Sequence, residues 1–331
     1  MKLLVVGGAG YIGSHMVKML VNSSHDVIIL DNLSTGFRKL AKYGELVVGN
    51  LADESLLEGL FSKHQFDGVM HFAAASLVGE SMINPAKYYR NNVSNTINLL
   101  DAMVKHEVKS LVFSSSAAVY GEPNSDLIDE EHAKEPINPY GSTKLMIERI
   151  LQDYASAYDL NSISLRYFNA CGADPEGELG ECHDPETHLI PIILQAASGR
   201  RKSMTMFGCD YATDDGTCVR DYIHINDLCT AHALALDKLT SSNNAGALSY
   251  NLGNSSGFSV QQVIDVVQTV VSKDGYSVTV VDGDRRAGDP ATLVADAAKA
   301  KSELNWQPKY DDLEVIVSHA WAWEKRLANI D

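Results

Sequence analysis

The chain has 331 residues, 45% hydrophobic and 21% charged, enough for one large core or two coupled domains. Its formal net charge of −16 argues against a nucleic acid or an anionic membrane as partner. Salt screens that field over about 10 Å, so a few local arginines can still hold a small anionic ligand.

Residues 2–6 (KLLVV) read as a short buried strand, GGAGYIG as a turn, and Tyr11 to Asn22 as a helix. Further strands are expected at 26–30, 45–49, 67–72, 110–116 and 162–168, with helices notably at 85–106 and 140–157. The strands are continuous Val/Ile/Leu-rich runs rather than alternating ones, which suits a parallel sheet covered on both faces. Strand–helix alternation of this kind predicts an α/β fold with a doubly wound parallel (Rossmann) sheet. Residues 169–188 are rich in Gly, Pro and Asp and read as one long loop. Beyond it the pattern predicts a helix at 189–199, strands at 204–207 and 219–225 and a helix at 226–239. A strand at 249–253, a helix at 259–272, a strand at 277–281 and two C-terminal helices complete it. The helix 226–239 and the strand 249–253 are expected to return to the first domain, leaving a smaller, discontinuous α/β second domain.

Gly7, Gly10 and Gly13 stand between a strand and a helix. Glycines there permit a tight turn and let a pyrophosphate approach the helix N-terminus. The second strand ends in Asp31, 18 residues after Gly13, where a carboxylate accepts from an adenosine ribose diol and repels a 2′-phosphate. The cofactor expected is therefore NAD, with Asn32 as a second ribose contact. A glycine turn without a ligand is the bland alternative.

Tyr140 and Lys144, four residues apart on a helix, share one face. An ammonium beside a phenol favours the phenolate, making a base that works near neutral pH. Ser114, Ser115 and Ser116 end the fifth strand, at the edge where ligands collect in such sheets. Ser116 is the expected proton relay, and two of the three serines are expected only to cap the strand. The chemistry implied is a hydride and a proton moved at an alcohol carbon.

Cys171, Cys182, Cys209, Cys218 and Cys229 form no CxxC and read as reduced thiols of a cytoplasmic protein. His71, His183, His188 and His224 would suggest a metal only if grouped; their spacing matches no zinc pattern, so no metal is expected. The opening apolar run is too short for a signal peptide, and no run is long enough to span a membrane.

The segments GGAGYIGSH (7–15), DVIILDNLSTG (26–36), SSSAAVYG (114–121), NPYGSTKLMIE (138–148), LRYFNACGA (165–173), VRDYIHINDL (219–228) and RRAGDPA (285–291) carry a resemblance that runs nearly end to end. The chain resembles the extended short-chain dehydrogenase/reductase superfamily and, within it, the UDP-glucose 4-epimerases. The resemblance implies NAD-dependent interconversion of UDP-glucose and UDP-galactose through a transient 4-keto sugar, with Tyr140 and Ser116 catalytic and Lys144 supporting. Cofactor contacts carry onto Gly7, Gly10, Tyr11, Ile12, Asp31, Asn32, Leu51, Phe72, Asn91, Ser114, Tyr140, Lys144 and Phe168. UDP-sugar contacts carry onto Ser116, Asn169, Leu189, Phe207, Arg220, Tyr222, Arg286 and Asp289. Residues 1–168 plus about 221–253 would be the NAD-binding domain, and about 169–220 plus 254–331 the UDP-sugar-binding domain. A homodimer is implied through helices 85–106 and 140–157, with Leu99, Leu100, Met103, Leu145, Met146, Ile150 and Leu151 as surplus apolar residues.

Four positions depart from the family pattern. Ser76 replaces a lysine that would reach the cofactor phosphates, and Asn50 replaces an aspartate that meets adenine. His188 stands where some members have asparagine. Leu293 is intermediate between the bulky and small residues that refuse or accept an N-acetyl group, so UDP-GlcNAc/UDP-GalNAc stays open, as does UDP-xylose/UDP-arabinose. Ala117 and Ala118 follow Ser116 where a nucleotide-sugar dehydratase or decarboxylase needs an acidic residue. A non-enzymatic NAD-sensing regulator is the remote alternative, since it need not keep Tyr140, Lys144 and Ser116 together.

Overall fold

The computed structural model describes residues 1–123, 125, 127–241, 246–285 and 290–330. Its first half runs β1 (Lys2–Val6), α1 (Tyr11–Asn22), β2 (Asp26–Asp31), β3 (Glu45–Val48), α2 (Glu54–Lys63), β4 (Gly68–His71), α3 (Val78–Ile83), α4 (Pro85–Tyr88), α5 (Asn95–Lys105), β5 (Ser110–Ser114), α6 (Pro139–Tyr158) and β6 (Asn161–Tyr167). The second half runs β7 (Asn169–Cys171), α7 (Leu189–Ala197), β8 (Met204–Phe207), β9 (Val219–His224), α8 (Ile225–Ser241), β10 (Ala247–Leu252), β11 (Gly257–Ser259), α9 (Val260–Ser272), β12 (Val280–Gly283), β13 (Thr292–Leu293), α10 (Ala298–Glu303) and α11 (Leu313–Ala328).

Seven parallel strands form the main sheet in the order β10–β6–β5–β4–β1–β2–β3. The chain winds outward from β1 in both directions, so the order reverses between β1 and β4 and opens a crevice at their carboxyl ends. The fold is α/β and doubly wound. β1, β4 and β5 are almost wholly buried because both faces are covered. Met16, Leu20, Leu228 and Leu236 of α1 and α8 cover one face. Leu57, Phe61, Leu99, Met103, Ile147 and Leu151 of α2, α5 and α6 cover the other. Each such side chain withdrawn from water contributes roughly 1.5–3 kcal/mol.

A separate core joins α7, α9 and α11 through Ile193, Val267, Val271, Ile316 and Trp321. Around it lie the small sheet β11–β9–β13, with β7 also paired to β9, and the pair β12–β8. Strand β10 returns to the main sheet beside β6, with Ala247 opposite Ser162.

Several expectations change in detail. The helix expected over 85–106 is α4 and α5 joined by a π-helical turn, Tyr89–Ser94. Its cause is Asn92, which turns inward, accepts from Ala75 N (2.8 Å) and donates to Ala75 O (3.0 Å) and Thr143 Oγ1 (3.1 Å). The strand expected at 277–281 is shifted to Val280–Gly283, its register set by pairing with β8. The expected loop 169–188 contains β7 and an Ala173–Gly180 bridge. α3, β11 and β13 are too short to leave a periodic signal. Of the surplus apolar residues, Leu99, Leu100, Met103 and Leu151 are buried within the chain, Leu145 and Ile150 are half-buried, and Met146 is exposed. Among the described residues no helix is long and apolar enough to cross a membrane.

Candidate active site

The carboxyl ends of β1, β2, β4 and β5 open onto a cleft of about 320 Å³. Its floor is the turn between β1 and α1. Gly7 has φ +84°, and a Cβ on it would lie 2.6 Å from Ala73 N. A Cβ on Gly13 would lie 2.2 Å from Gly7 O. Gly10 caps α1 without a side-chain hydrogen bond, leaving the first N–H groups of the helix directed outward.

Asp31 is anchored by Ala9 N donating to Oδ2 (2.9 Å) and Leu33 N to Oδ1 (2.8 Å). Each oxygen keeps a second lone pair for a ribose diol. Asn50 Oδ1 accepts from Ala52 N (2.9 Å), which leaves its NH₂ as the group able to meet a base. Tyr11, Ile12, Asn32, Leu51, Phe72, Asn91 and Phe168 also line the cleft. Among the described residues, Lys144 is the one lysine or arginine that lines it, and Ser76 lines it too. The glycine cradle, the helix terminus and the anchored carboxylate fit NAD.

Tyr140, Lys144, Ser114 and Ser116 meet at the cleft wall nearest β5 and β6. Asn138 caps α6, accepting from Gly141 N (2.8 Å), and so fixes the first turn that carries Tyr140. Ser116 lies beside Tyr140 on this wall and lowers its phenol. Lys144 Nζ donates to Ser114 O (2.6 Å) and lies 5.8 Å from the Tyr140 ring centroid. Ser114 Oγ is bonded to Tyr167 OH, and Ser115 Oγ donates to Glu148 Oε1 (2.5 Å), so these two serines are structural on the protein side.

The electrostatics differ from the sequence expectation in one respect. Burial raises the Tyr140 phenol above its ordinary value, against the lowering by Ser116. Burial likewise pushes Lys144 down to about 7, opposed by the Glu148 carboxylate. Desolvation disfavours both charged forms. Sequence reasoning missed the support beneath them. Glu148, one turn after Lys144, holds Arg166 through two bonds (2.9 and 2.6 Å), and Arg166 donates to Tyr120 OH (2.9 Å). Glu148 lies four residues beyond Lys144 on α6, a spacing that could have flagged it.

A second cavity, about 430 Å³, shares Asn169, Ala170 and His188 with the cleft and so continues it. Leu189, Phe207, Arg220 and Tyr222 line it, as do Cys218 and, not singled out by the sequence, Arg201 and Thr205. Asn169 Nδ2 donates to Asp221 O (3.0 Å), fixing the residue between the two cavities. Leu293 lines neither cavity; it packs with Phe168 and Leu145 against Val119, Tyr120 and Ile128. Arg286 and Asp289 lie outside the described residues.

Of the four histidines considered for a metal, His71 bonds Thr96 Oγ1 (2.9 Å) and His224 bonds His319 (3.0 Å). His183 and His188 are brought together, with Glu181 and Glu186, although their spacing follows no zinc pattern. The five cysteines are unpaired.

Residues 3–253 match the family described as the NAD dependent epimerase/dehydratase family. The chain is 50% identical over 325 residues to a UDP-glucose 4-epimerase of Halalkalibacterium halodurans, covering 98% of this chain and 96% of that one. It superposes on the crystal structure of UDP-glucose 4-epimerase from Brucella ovis in complex with NAD with a TM-score of 0.93 at 47% identity, over 97% of both chains. A UDP-glucose 4-epimerase from Bifidobacterium longum in complex with NAD+ and UDP gives a TM-score of 0.93 at 36% identity, over 100% of both chains.

Proposed function

The chain belongs to the NAD-dependent epimerase/dehydratase family, and from that premise we propose that it is an enzyme interconverting UDP-glucose and UDP-galactose through a transient 4-keto sugar. One observation carries the reading: Tyr140, Ser116 and Lys144 meet in a cleft built for a dinucleotide that runs into a second cavity holding Arg220.

Residues 1–168 with about 221–253 would hold NAD on the glycine turn, the α1 N-terminus and Asp31. Residues 169–220 with 254–331 would hold the UDP-sugar, with Arg220 and Arg201 facing the diphosphate, where guanidinium geometry suits paired phosphate oxygens. NAD held there would supply the hydride acceptor and donor for carbon 4. Tyr140 takes the proton of the 4-hydroxyl and later returns it. Ser116, beside Tyr140 on the cleft wall, is placed to share that hydroxyl. Lys144, held by Ser114 O, would stabilise the phenolate and hydrogen-bond the nicotinamide ribose. With carbon 4 reduced from its other face, proton and hydride balance and the net redox change is zero.

The half-buried Leu145 and Ile150 and the exposed Met146 on α6 support a homodimer through that helix. Five unpaired cysteines accord with a reducing, cytoplasmic compartment. Leu293 lies in the Phe168 cluster rather than on a cavity wall, which supports an indirect role in admitting N-acetyl groups.

The test is epimerisation of UDP-galactose by purified protein without added NAD, with UDP-GalNAc and UDP-arabinose in parallel. Turnover of UDP-galactose is expected at the highest rate. Retained NAD without turnover of any of the three would replace the enzyme reading by a sensor.

A further inference from the structure

Four side chains with metal-binding atoms converge at the end of the loop between β7 and α7. Glu181, His183, Glu186 and His188 each offer one such atom, and the four lie within 4.8 Å of one another. His188 Nδ1 is 2.7 Å from Glu181 Oε1 and 3.0 Å from Glu186 Oε1. His183 Nδ1 is 3.1 Å from Glu181 Oε1 and 3.6 Å from Glu186 Oε2. A tetrahedral ion with bonds of 2.0–2.1 Å has donor–donor edges of about 3.3 Å; the separations from Glu181 Oε1, 2.7 and 3.1 Å, are a little shorter, and those from Glu186, 3.0 Å to Oε1 and 3.6 Å to Oε2, lie on either side.

Two further observations point to an ion. The Glu181 and Glu186 side chains are only 6% and 4% exposed, so two carboxylates face each other away from water. His183 Nδ1 is shut off from solvent and makes no hydrogen bond, although Glu181 Oε1 is near. An N–H on that nitrogen is aligned with neither carboxylate, whereas a lone pair can be shared with an ion between them. The surrounding contacts hold the donors in place, as around built metal sites. Glu186 Oε1 accepts from Thr187 N (2.8 Å) and His188 N (2.9 Å), and Trp323 Nε1 donates to Glu181 O (2.8 Å). Without an ion the two carboxylates hold both imidazoles protonated, and a divalent ion would take the place of those two protons in balancing the charge. The neighbouring cluster Asp174, Glu176 and Glu178 differs, because Lys18 already ion-pairs all three, at 2.5–2.8 Å.

We propose that Glu181, His183, Glu186 and His188 form a four-coordinate site for a divalent transition-metal ion, zinc by its imidazole and carboxylate donors. The ion fastens the end of the loop to the first turn of α7. It thereby fixes the wall shared by the two cavities, since Glu181, His183 and His188 line the cleft and Glu186 and His188 the second cavity. Its role is structural, and it stands independently of which nucleotide sugar is turned over.

The test uses the untagged full chain, stripped with a chelator, desalted and titrated with cobalt(II) chloride under visible absorption. We expect about one equivalent bound per chain, with the intense bands of a four-coordinate ion that zinc chloride abolishes. In His183→Gln and Glu186→Gln the affinity should fall at least about tenfold, as loss of a ligand predicts, with the far-ultraviolet dichroism unchanged. Cys182→Ser should bind as the parent does. Should the substitutions unfold the chain, the parent titration decides alone. Substoichiometric binding or the pale spectrum of a six-coordinate ion in folded parent protein would overturn the proposal, as would equal binding by the folded variants.

Discussion

The two cavities are built by different means. The cleft is made by backbone: a glycine turn, a helix terminus and four strand ends, with Lys144 as the one lysine or arginine on its wall among the described residues. The second cavity is made by side chains on α7, β8 and β9, with Arg220 among them, and by Arg201 between α7 and β8. In a chain of net charge −16, a dinucleotide can be held by amide groups and shape, whereas the second diphosphate calls for local guanidinium groups. Binding of cofactor and of sugar nucleotide should therefore be separable by mutation.

The largest effect expected is at the seam. Tyr140→Phe should lower turnover about 10²–10⁴-fold, the range for loss of a general acid–base group, with NAD content and melting temperature unchanged. Epimerisation rates of protein assayed for bound NAD check this, and near-normal rates would remove Tyr140 from the chemistry. Arg220→Ala should raise KM for the UDP-sugar roughly 10–100-fold, as expected for a charge-assisted hydrogen bond of about 1.5–3 kcal/mol, and leave NAD content intact. Equal loss of NAD would mean that the cavities act as one site.

Gly13→Ala tests the opposite side. Its Cβ would meet Gly7 O at 2.2 Å, so the turn must open. The expected cost is about 1–3 kcal/mol of stability, together with NAD loss on gel filtration, while KM for the sugar in excess NAD stays put.

Acid should reach the sheet core through its histidines. Burial lowers His71 to about 3, and His15 and His232 to about 4. Each is neutral in the fold, so its contribution is complete above the ordinary value near 6.5 and is lost as pH falls from there toward 3–4. The slope is about 1.4 kcal/mol per pH unit for each such histidine. His71→Gln should flatten denaturant-derived stability between pH 6 and 5 by about that amount, and an unchanged slope would show that His71 is protonated in the fold. The smallest effect is at Leu293: Leu293→Tyr should reduce use of UDP-GalNAc a few-fold relative to UDP-galactose, because it acts through Phe168 rather than on a cavity wall. Equal loss on both substrates would show that this position does not gate size.

The elements of the large sheet were legible because their signals are local. β1 and β2 are runs of apolar residues, β6 alternates apolar with polar ones, and α1 follows its glycines at once. The second unit was less legible, since β11 and β13 are two or three residues long and exist through pairing with β9. The π-helical turn depends on Asn92 meeting Ala75 and Thr143, a contact that no periodicity encodes.

By itself the sequence determined the strand-and-helix alternation, the glycine turn with Asp31, and the shared face of Tyr140 and Lys144. These follow from spacing over a few residues, where backbone geometry alone sets which side chains are neighbours. The tertiary structure decided what covers those groups. It raised the phenol that proximity to a lysine was expected to lower, placed Leu293 behind Phe168, and set two histidines and two glutamates around one point. Such outcomes rest on desolvation and on contacts between distant segments, and both are properties of the packed chain rather than of any stretch of it.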